Sequence, residues 1–339
     1  MKIEKVLKIL VNKKIVKSPE FRSLGAGNNY QAFLVNDFGK QYVLRLMKSS
    51  VASKNRLEKA YIVSKFIEKE NIGFAQKAIF FDKKNKFLLT DYIDGQEFSV
   101  KDLNQKHLKE FLMKMIRVNS LEYKDFGKFT SGKKLNFDIL EDSEKRIDSI
   151  LKIKMTYLKR NKNILFDSSF DKKMDYLKNN LVLLKKEYKD IDWTDKRVFF
   201  DHGDLAGANI ILNKNNQLFF IDWDNAKFTK DIGLILANMF FYCGDITDSF
   251  QKKFISLYIK EGNIKFNAKE LKLEVERALK LIILSGIVWA LASAIKSKKR
   301  SESFWLKYTK IANERLAIYE KHFGADGGTR THKPFGTRV

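Results

Sequence analysis

The pattern of hydrophobic and polar positions changes along the chain, and its first part is typical of short strands. FRSLGAGNNYQAFLVND and KQYVLRLMK predict three strands, because β-branched and aromatic residues stand between turn-forming residues. In NRLEKAYIVSKFIEKEN the apolar residues recur at spacings of three and four, which predicts a helix with one apolar face. KAIFFDKK and KFLLTDYIDG then predict a strand, a turn and a strand ending at Gly95. Residues 1–93 are therefore predicted to form a small β-rich lobe.

The pattern becomes mainly helical beyond about residue 100. Strand-like islands interrupt it at RVFFDHGD, NIILN and QLFFIDWD. The longest uncharged apolar run, Leu281 to Ile295, is shorter than the ~20 residues that a membrane-spanning helix needs, so a buried core helix is expected and no membrane span. Residues 94–323 are therefore predicted to form a larger, mainly helical lobe, and the fold class is predicted to be α+β with two lobes.

The last segment, residues 324–339, differs in composition from the rest of the chain. We expect it to be disordered and not to be a sequence that natural selection has maintained. Its GTRT stretch back-translates readily to the complement of a transfer-RNA T-arm, as if the reading frame ran into a neighbouring gene. The coding nucleotides test this hypothesis, and a lack of overlap with such a gene contradicts it.

The charge balance suggests an anionic partner but does not identify one. Lysine and arginine number 65 against 41 acidic residues, a net charge of +24, which favours a nucleotide, a nucleic acid or a membrane surface as partner. The basic residues are spread along the chain, so a solvated basic surface is the alternative and no specific nucleic-acid partner is predicted. The single cysteine, Cys243, excludes an internal disulfide, and charges interrupt the N-terminal apolar residues too often for a signal peptide. A cytoplasmic location is expected.

The segment FDHGDLAGANIILNKNNQLFFIDWD carries the most informative chemistry. His202, Asp204 and Asn209 reproduce the spacing H-x-D-L-x-x-x-N of a kinase catalytic loop, and Asp222 follows a strand pair at the position of the D-F-G aspartate. Phosphoryl transfer needs a carboxylate beside the attacking hydroxyl and oxygen ligands for Mg²⁺, and these residues supply both. Each alone could be a turn or strand-capping residue, but their joint order favours a phosphotransferase site.

HGDLAGANIIL and FFIDWD resemble the aminoglycoside phosphotransferase and choline/ethanolamine kinase group over most of residues 20–320. The resemblance implies a protein-kinase-like fold. It also implies that Asp204 is the catalytic base, that Asn209 and Asp222 are Mg²⁺ ligands, and that His202 supports the catalytic loop.

The N-terminal lobe contains a glycine turn that fits the phosphate-covering turn of this group. Gly25, Gly27 and Asn28 lie in it, and the missing side chains would let backbone N–H groups approach the nucleotide. Taken alone, these glycines could equally form an ordinary hairpin.

Further nucleotide-binding residues are implied by position. Arg45 stands where kinases carry the phosphate-binding lysine, and Glu58 on the following helix is the expected partner carboxylate, with a solvated helix glutamate as the alternative. The segment LLTDYIDG resembles the hinge between lobes, where main-chain atoms of Asp91 and Ile93 would hold adenine.

Candidate acceptor contacts are less well defined. Trp289 corresponds to the first of two tryptophans that line the ammonium pocket of choline kinases, but Ala292 stands at the second position. Tyr242 stands where an acidic residue of that pocket is expected. Asp224 could contact a cationic acceptor or cap the following turn.

Together these features predict an ATP-dependent and Mg²⁺-dependent kinase that phosphorylates a hydroxyl of choline, ethanolamine or a related amino alcohol. An aminoglycoside or a thiamine-type cation is the alternative acceptor, and GTP is an open alternative to ATP. A rival from another class is a non-catalytic protein with a kinase-like fold whose basic surface binds nucleic acid or acidic lipid. The oligomeric state is left open by the sequence.

Overall fold

The computed structural model describes residues 2–26, 30–48, 55–98, 105–135, 137–161, 170–194, 196–205, 207–243, 248–262, 266–298 and 302–324. The predicted phosphate-turn residues Gly27 and Asn28 lie outside these ranges, as do residues 325–339 of the tail that was expected to be disordered.

The N-terminal lobe is built on one antiparallel sheet of five strands in the order β1-β2-β3-β5-β4. Its strands are β1 (Glu20–Ala26), β2 (Tyr30–Asp37), β3 (Lys40–Met47), β4 (Ala78–Asp82) and β5 (Phe87–Asp91). In the central strand β3, Arg45 pairs with Ala32 of β2 and Leu88 of β5, which holds its backbone on both sides. The predicted strands are all present in this sheet.

Two helices pack on this sheet. The predicted helix is α2 (Arg56–Lys69). The other, α1 (Ile3–Asn12), was not predicted, although its four buried residues recur at spacings of three and four: Ile3, Val6, Leu7 and Leu10. They join the core with apolar residues of β2, β3 and β5, so α1 covers the sheet face.

The chain passes between the lobes just after β5. This strand ends at Asp91, and a separate short strand, β6 (Gly95–Glu97), pairs with β9 (Ile210–Asn213) of the C-terminal lobe. The single strand predicted to end at Gly95 is therefore two strands, because the chain leaves the N-terminal sheet before it reaches β9.

The C-terminal lobe is mainly helical, as predicted. Its helices are α3 (Gln105–Asn119), α4 (Tyr123–Phe129), α5 (Ser143–Ser149), α6 (Met155–Arg160), α7 (Phe170–Lys189), α8 (Ile232–Cys243), α9 (Asp248–Gly262), α10 (Ala268–Lys298) and α11 (Glu302–Phe323). Of the described helices, α10 is long and apolar enough to cross a membrane, but most of its apolar part is buried in the protein. It packs on α8 and α11 and includes the predicted core segment Leu281–Ile295.

Short strands flank the two segments that carry the candidate catalytic residues. β9 pairs with β10 (Leu218–Phe220), and a second small sheet has the order β7-β11-β8, formed by β7 (Leu140–Glu141), β8 (Phe199–Asp201) and β11 (Lys227–Thr229). The H-x-D segment follows β8, and the D-W-D segment lies between β10 and β11. The predicted bilobal α+β fold class is confirmed.

Candidate active site

A buried histidine fixes the start of the catalytic loop. His202 is 2% exposed, and its Nε2 lies 2.9 Å from the carbonyl oxygen of Ile221, so Nε2 carries the proton of this bond. Its ring centroid lies 4.3 Å from that of Trp223. Burial lowers the pKa of His202, so the imidazole is neutral near pH 7. These contacts support the predicted structural role, because they join the loop to the strand that leads to Asp222.

The next residue, Gly203, holds the loop against the D-W-D segment. Its φ of +79° is in the left-handed region, and a Cβ placed on it would lie 2.2 Å from the carbonyl oxygen of Asn225. Its N–H donates to Oδ1 of Asp201 over 3.0 Å. Only glycine fits this close approach.

Asp204 and Asn209 face each other within the loop. The Nδ2 group of Asn209 donates to the backbone oxygen of Asp204 over 2.7 Å, which leaves Oδ1 of Asn209 as the atom that can bind a cation. The Asp204 carboxylate is half-buried and lies 3.4 Å from Nδ2 of Asn225. Burial raises the pKa of Asp204, and the nearby carboxylates of Asp222 and Asp224 raise it further. A perturbed carboxylate in a cleft has the properties of a general base.

The structure joins Asp222 to Arg45 across the two lobes. Asp222 has a φ of +62°, an uncommon conformation for a residue other than glycine. Its carboxylate forms an ion pair with the Arg45 guanidinium. Arg45 is only 7% exposed, and its guanidinium carbon lies 5.8 Å from the ring centroid of Tyr30. The candidate phosphate-binding residue of β3 is thus brought to the candidate metal ligand.

A second link between the lobes was missed by the sequence reasoning. The hydroxyl of Tyr30 donates to Oδ2 of Asp224 over 2.7 Å, and Arg56 of α2 lies 3.5 Å from the same oxygen. Asp224 is 5% exposed, and burial, followed by the charge of Asp222, raises its pKa. Its carboxylate is engaged by Tyr30 and Arg56, and the two alternatives suggested by the sequence, a contact with a cationic acceptor and a cap on the following turn, stay predictions.

Tyr30→Phe should lower the free energy of unfolding by about 1.5–3 kcal/mol, because the buried Asp224 carboxylate loses a hydrogen-bond donor. Urea unfolding measures this effect. Tyr42→Phe on β3 is a matched control at a half-buried tyrosine and should stay within about 0.5 kcal/mol of the wild type. Equal losses in the two variants would contradict the assigned role of the Tyr30 hydroxyl.

The predicted pairing of Arg45 with Glu58 is corrected by the structure. Arg45 pairs with Asp222, whereas Glu58 pairs with Lys83 over 2.8 Å. Glu58 lies in the first turn of α2, and its carboxylate reaches the β4–β5 turn, where Lys83 lies. The α2 side chain that reaches the D-W-D segment is Arg56, a cation, and no motif in the sequence signalled it.

Protein hydrogen bonds already engage the main chain of the predicted hinge at Asp91. The N–H of Asp91 donates to the backbone oxygen of Lys77 over 3.0 Å, and its own oxygen accepts from Gln76 over 2.9 Å. The main chain of Ile93 is therefore the better candidate for adenine binding. Gly25 is exposed with a φ of +121° at a bulge in β1, a backbone conformation that favours glycine.

The candidate acceptor residues lie on α8 and α10. Trp289 is 40% exposed, and its ring lies edge-to-face with Tyr308 at a centroid distance of 5.5 Å. The Arg315 guanidinium lies 5.6 Å from the same ring centroid and occupies the space that a Cβ on Gly286 would enter. Tyr242 lies in the last turn of α8, and its side chain is outside the description.

The donor set of the site fits Mg²⁺ bound together with a nucleotide. Asp222 offers a carboxylate and Asn209 an amide oxygen, which are the hard ligands that Mg²⁺ prefers. Among the residues that the structure describes, no group of three or more His, Cys, Asp or Glu side chains could hold a metal by itself. Mg²⁺ usually takes one or two carboxylates and completes its shell with water and phosphate oxygens.

Comparison with known proteins identifies the family. The sequence model of the Choline/ethanolamine kinase family matches residues 27–320. The chain belongs to the choline/ethanolamine kinase family. The resemblance stated from the motifs is therefore confirmed. This family consists of small-molecule kinases, and ATP binding is implied for its members. No curated protein matches the chain by sequence.

Solved structures show that this choline/ethanolamine kinase family member has the fold expected of it. The choline kinase of Cryptosporidium parvum Iowa II superimposes with a TM-score of 0.63 at 16% identity, covering 96% of this chain and 99% of the other. The ethanolamine kinase of Plasmodium vivax gives a TM-score of 0.62 at 18% identity, with coverages of 94% and 90%. The gentamicin complex of APH(2″)-IIa gives 0.61 at 15% identity, with coverages of 92% and 96%. At these identities the likeness establishes the fold alone.

Proposed function

We propose that the protein is an ATP-dependent and Mg²⁺-dependent kinase that transfers the γ-phosphoryl group to a hydroxyl of choline, ethanolamine or a related amino alcohol. The observation that carries the proposal is the convergence of Asp204, Asn209 and Asp222 on one side of the cleft with Arg45 of the opposite lobe. Family membership supports the reaction class.

The residues have distinct roles in this proposal. Asp204 orients the acceptor hydroxyl and accepts its proton, for which a carboxylate with a raised pKa is well suited. Asn209 and Asp222 would hold Mg²⁺, which when bound neutralises charge on the nucleotide phosphates. Arg45 offers a planar guanidinium that can bind phosphate oxygens bidentately. His202 acts on the loop and not on the substrate, because it is buried and neutral.

The N-terminal lobe would bind the nucleotide. The main chain of Ile93 would contact adenine, and the turn that includes Gly25, Gly27 and Asn28 would cover the phosphates. Asp91 would contribute by positioning the hinge, since its side chain accepts from the backbone N–H of Lys77 over 2.7 Å. Glu58, on α2, would form an ion pair with Lys83 and not with Arg45.

The acceptor pocket is the part of the proposal with competing candidates. Cation–π binding of a quaternary ammonium on Trp289 would compete with Arg315, which already lies over that ring. A cavity of about 700 Å³ has more acidic than basic residues in its lining: Asp138, Glu141, Asp142, Glu144 and Asp231 against Lys145, Arg146 and Lys230. Its size and charge favour an aminoglycoside or another polycation as the second candidate acceptor. A cytoplasmic location remains a prediction.

An acceptor screen tests the proposal. The full-length protein is incubated with Mg²⁺ and ATP or GTP against choline, ethanolamine, thiamine, sugars and aminoglycosides, and release of nucleoside diphosphate is measured above the rate without acceptor. We expect a signal with an amino alcohol that depends on Asp204. A signal only with an aminoglycoside would move the assignment to the second candidate. Failure to bind nucleotide, with salt-sensitive binding of a polyanion, would instead support the non-catalytic rival.

A further inference from the structure

A polar cavity lies beside the catalytic loop and is distinct from the residues assigned so far to nucleotide and metal. Its volume is about 420 Å³, and it is called the Lys59 cavity below. Its polar and loop residues are Lys59, Asp138, Glu141, Arg146, Gly203, Asn225 and Lys227, of which Asp138, Glu141 and Arg146 also line the cavity of about 700 Å³. Asn225 links it to the active site, because its Nδ2 lies 3.4 Å from the Asp204 carboxylate. A ligand in this cavity would therefore lie next to the loop that carries the candidate base.

Most of the charged groups in the Lys59 cavity are already paired. Lys227 forms ion pairs with Glu141 and, over 3.7 Å, with Asp201. Arg146 lies 3.1 Å from Glu141 and donates to the hydroxyl of Ser285 over 3.2 Å. Glu141 is thus held between two cations, which keep its pKa at about 2 against the effect of burial.

Lys59 is the exception. It projects from α2 and is half-buried, and within the described part of the chain its ammonium group has neither an ion pair nor a hydrogen bond. The cavity is lined by three cations, Lys59, Arg146 and Lys227, and by two carboxylates, Glu141 and the exposed Asp138 on the rim. Glu141 and Asp201 balance Arg146 and Lys227, whereas Lys59 has no such partner among the described residues, and a partly desolvated cation without a partner is costly.

The surroundings of Lys59 favour an anionic ligand. Burial, followed by the nearby charge of Lys227, lowers the pKa of Lys59 to about 8, although the carboxylates of Asp224 and Glu141 act in the opposite direction. An anion in the cavity would offset this repulsion and keep the ammonium protonated. Further donors are at hand, because the guanidinium of Arg146 has more N–H groups than its two partners use, and the amide of Asn225 faces the same space.

We propose that the Lys59 cavity binds a phosphate group, with the Lys59 ammonium as the charged ligand and with Arg146 and Asn225 as neighbouring donors. Two sources of that chemistry are possible: the phosphomonoester product of the kinase reaction, or free inorganic phosphate. The first source rests on the proposed function, whereas affinity of the cavity for phosphate does not.

Site-specific lysine labelling of the full-length protein tests the proposal. The protein is treated with an amine-reactive reagent at pH 8, with inorganic phosphate or with sodium chloride at equal ionic strength, and modification of each lysine is read by peptide mass spectrometry. Labelling of Lys59 should be about tenfold slower once phosphate exceeds its Kd about tenfold, since only the free fraction reacts. Labelling of Lys69, an exposed lysine in the last turn of the same helix, should not change. Unchanged labelling of Lys59 would overturn the proposal.

Variants provide a second readout that does not depend on lysine reactivity. Lys59→Met should abolish the binding of inorganic phosphate measured by calorimetry, Lys59→Arg should retain it, and Lys69→Met should leave it at the wild-type value. The Tm of Lys59→Met should be equal to or higher than that of the wild type, because a half-buried unpaired charge is removed, so a loss of binding would not reflect unfolding. Phosphate binding of wild-type strength in Lys59→Met would contradict the proposal.

The two sources are separated with phosphoethanolamine as the second probe. If the product is the ligand, phosphoethanolamine protects Lys59 at lower concentrations than inorganic phosphate, and Lys59→Met relieves product inhibition. If free phosphate is the ligand, the order of the two probes is reversed. Both results support the site. Protection of Lys59 without phosphorylation of any alcohol would refute the proposed function and leave the phosphate site intact.

Discussion

Asp204→Asn is expected to lower kcat by about 10²–10⁴-fold, the usual contribution of a positioned general base. Asparagine preserves the shape of the side chain but cannot accept the proton of the acceptor hydroxyl. The hydrogen bond from Asn209 goes to the backbone oxygen of residue 204 and is therefore retained in the variant. Nucleotide affinity should change little, because Arg45 and the hinge are untouched.

Turnover and nucleotide binding are measured on the same set of proteins. Nucleoside diphosphate release gives kcat, and calorimetry gives the Kd of the nucleotide. Glu314→Gln removes an exposed carboxylate on α11 and should keep kcat within about twofold of the wild type. A loss of nucleotide affinity as large as the loss of kcat in Asp204→Asn would indicate damage to the loop, and wild-type turnover would remove Asp204 from the role of base.

Local sequence patterns were sufficient for most of the elements, except α1 and the division between β5 and β6, and for the order of the candidate catalytic groups. The strands of the N-terminal sheet, the core helix α10 and the spacing of Asp204, Asn209 and Asp222 all depend on residues close together in the chain. The family model matches residues 27–320, a range that includes these catalytic candidates. What the spacing could not predict is which side chains from the other lobe meet these residues.

The pairs across the cleft join residues that are far apart in the sequence, so the motifs could not predict them. Tyr30 and Asp224 are 194 residues apart, and Arg45 and Asp222 are 177 apart. The prediction for Arg45 followed a general kinase pattern in which the helix supplies a carboxylate. In this chain α2 presents Arg56 to Asp224, and the carboxylate that pairs with Arg45 comes from Asp222 and not from α2. The residue types of α2 could not show which side chain would face Asp224, because Arg56 and Glu58 lie only two positions apart on the same helix.

Gly203→Ala is the second substitution for which we expect a large effect. The alanine Cβ would lie 2.2 Å from the carbonyl oxygen of Asn225, and the φ of +79° is unfavourable for any side chain. Backbone strain of this kind costs about 1–3 kcal/mol, so the free energy of unfolding should fall by that amount. Relief of the contact requires movement of the loop next to Asp204, and a displacement of about 1 Å at a catalytic group can lower kcat by about 10²-fold.

Gly127→Ala is the matched control for this substitution. Gly127 lies within α4, its φ is in the ordinary range, and no atom lies within 4 Å of the position of an added Cβ. Alanine should therefore stabilise the helix by roughly 0.5–1 kcal/mol and leave kcat unchanged. Urea unfolding and turnover are measured for both variants. If Gly203→Ala behaves like Gly127→Ala in both measurements, the contact between the catalytic loop and the D-W-D segment does not position Asp204.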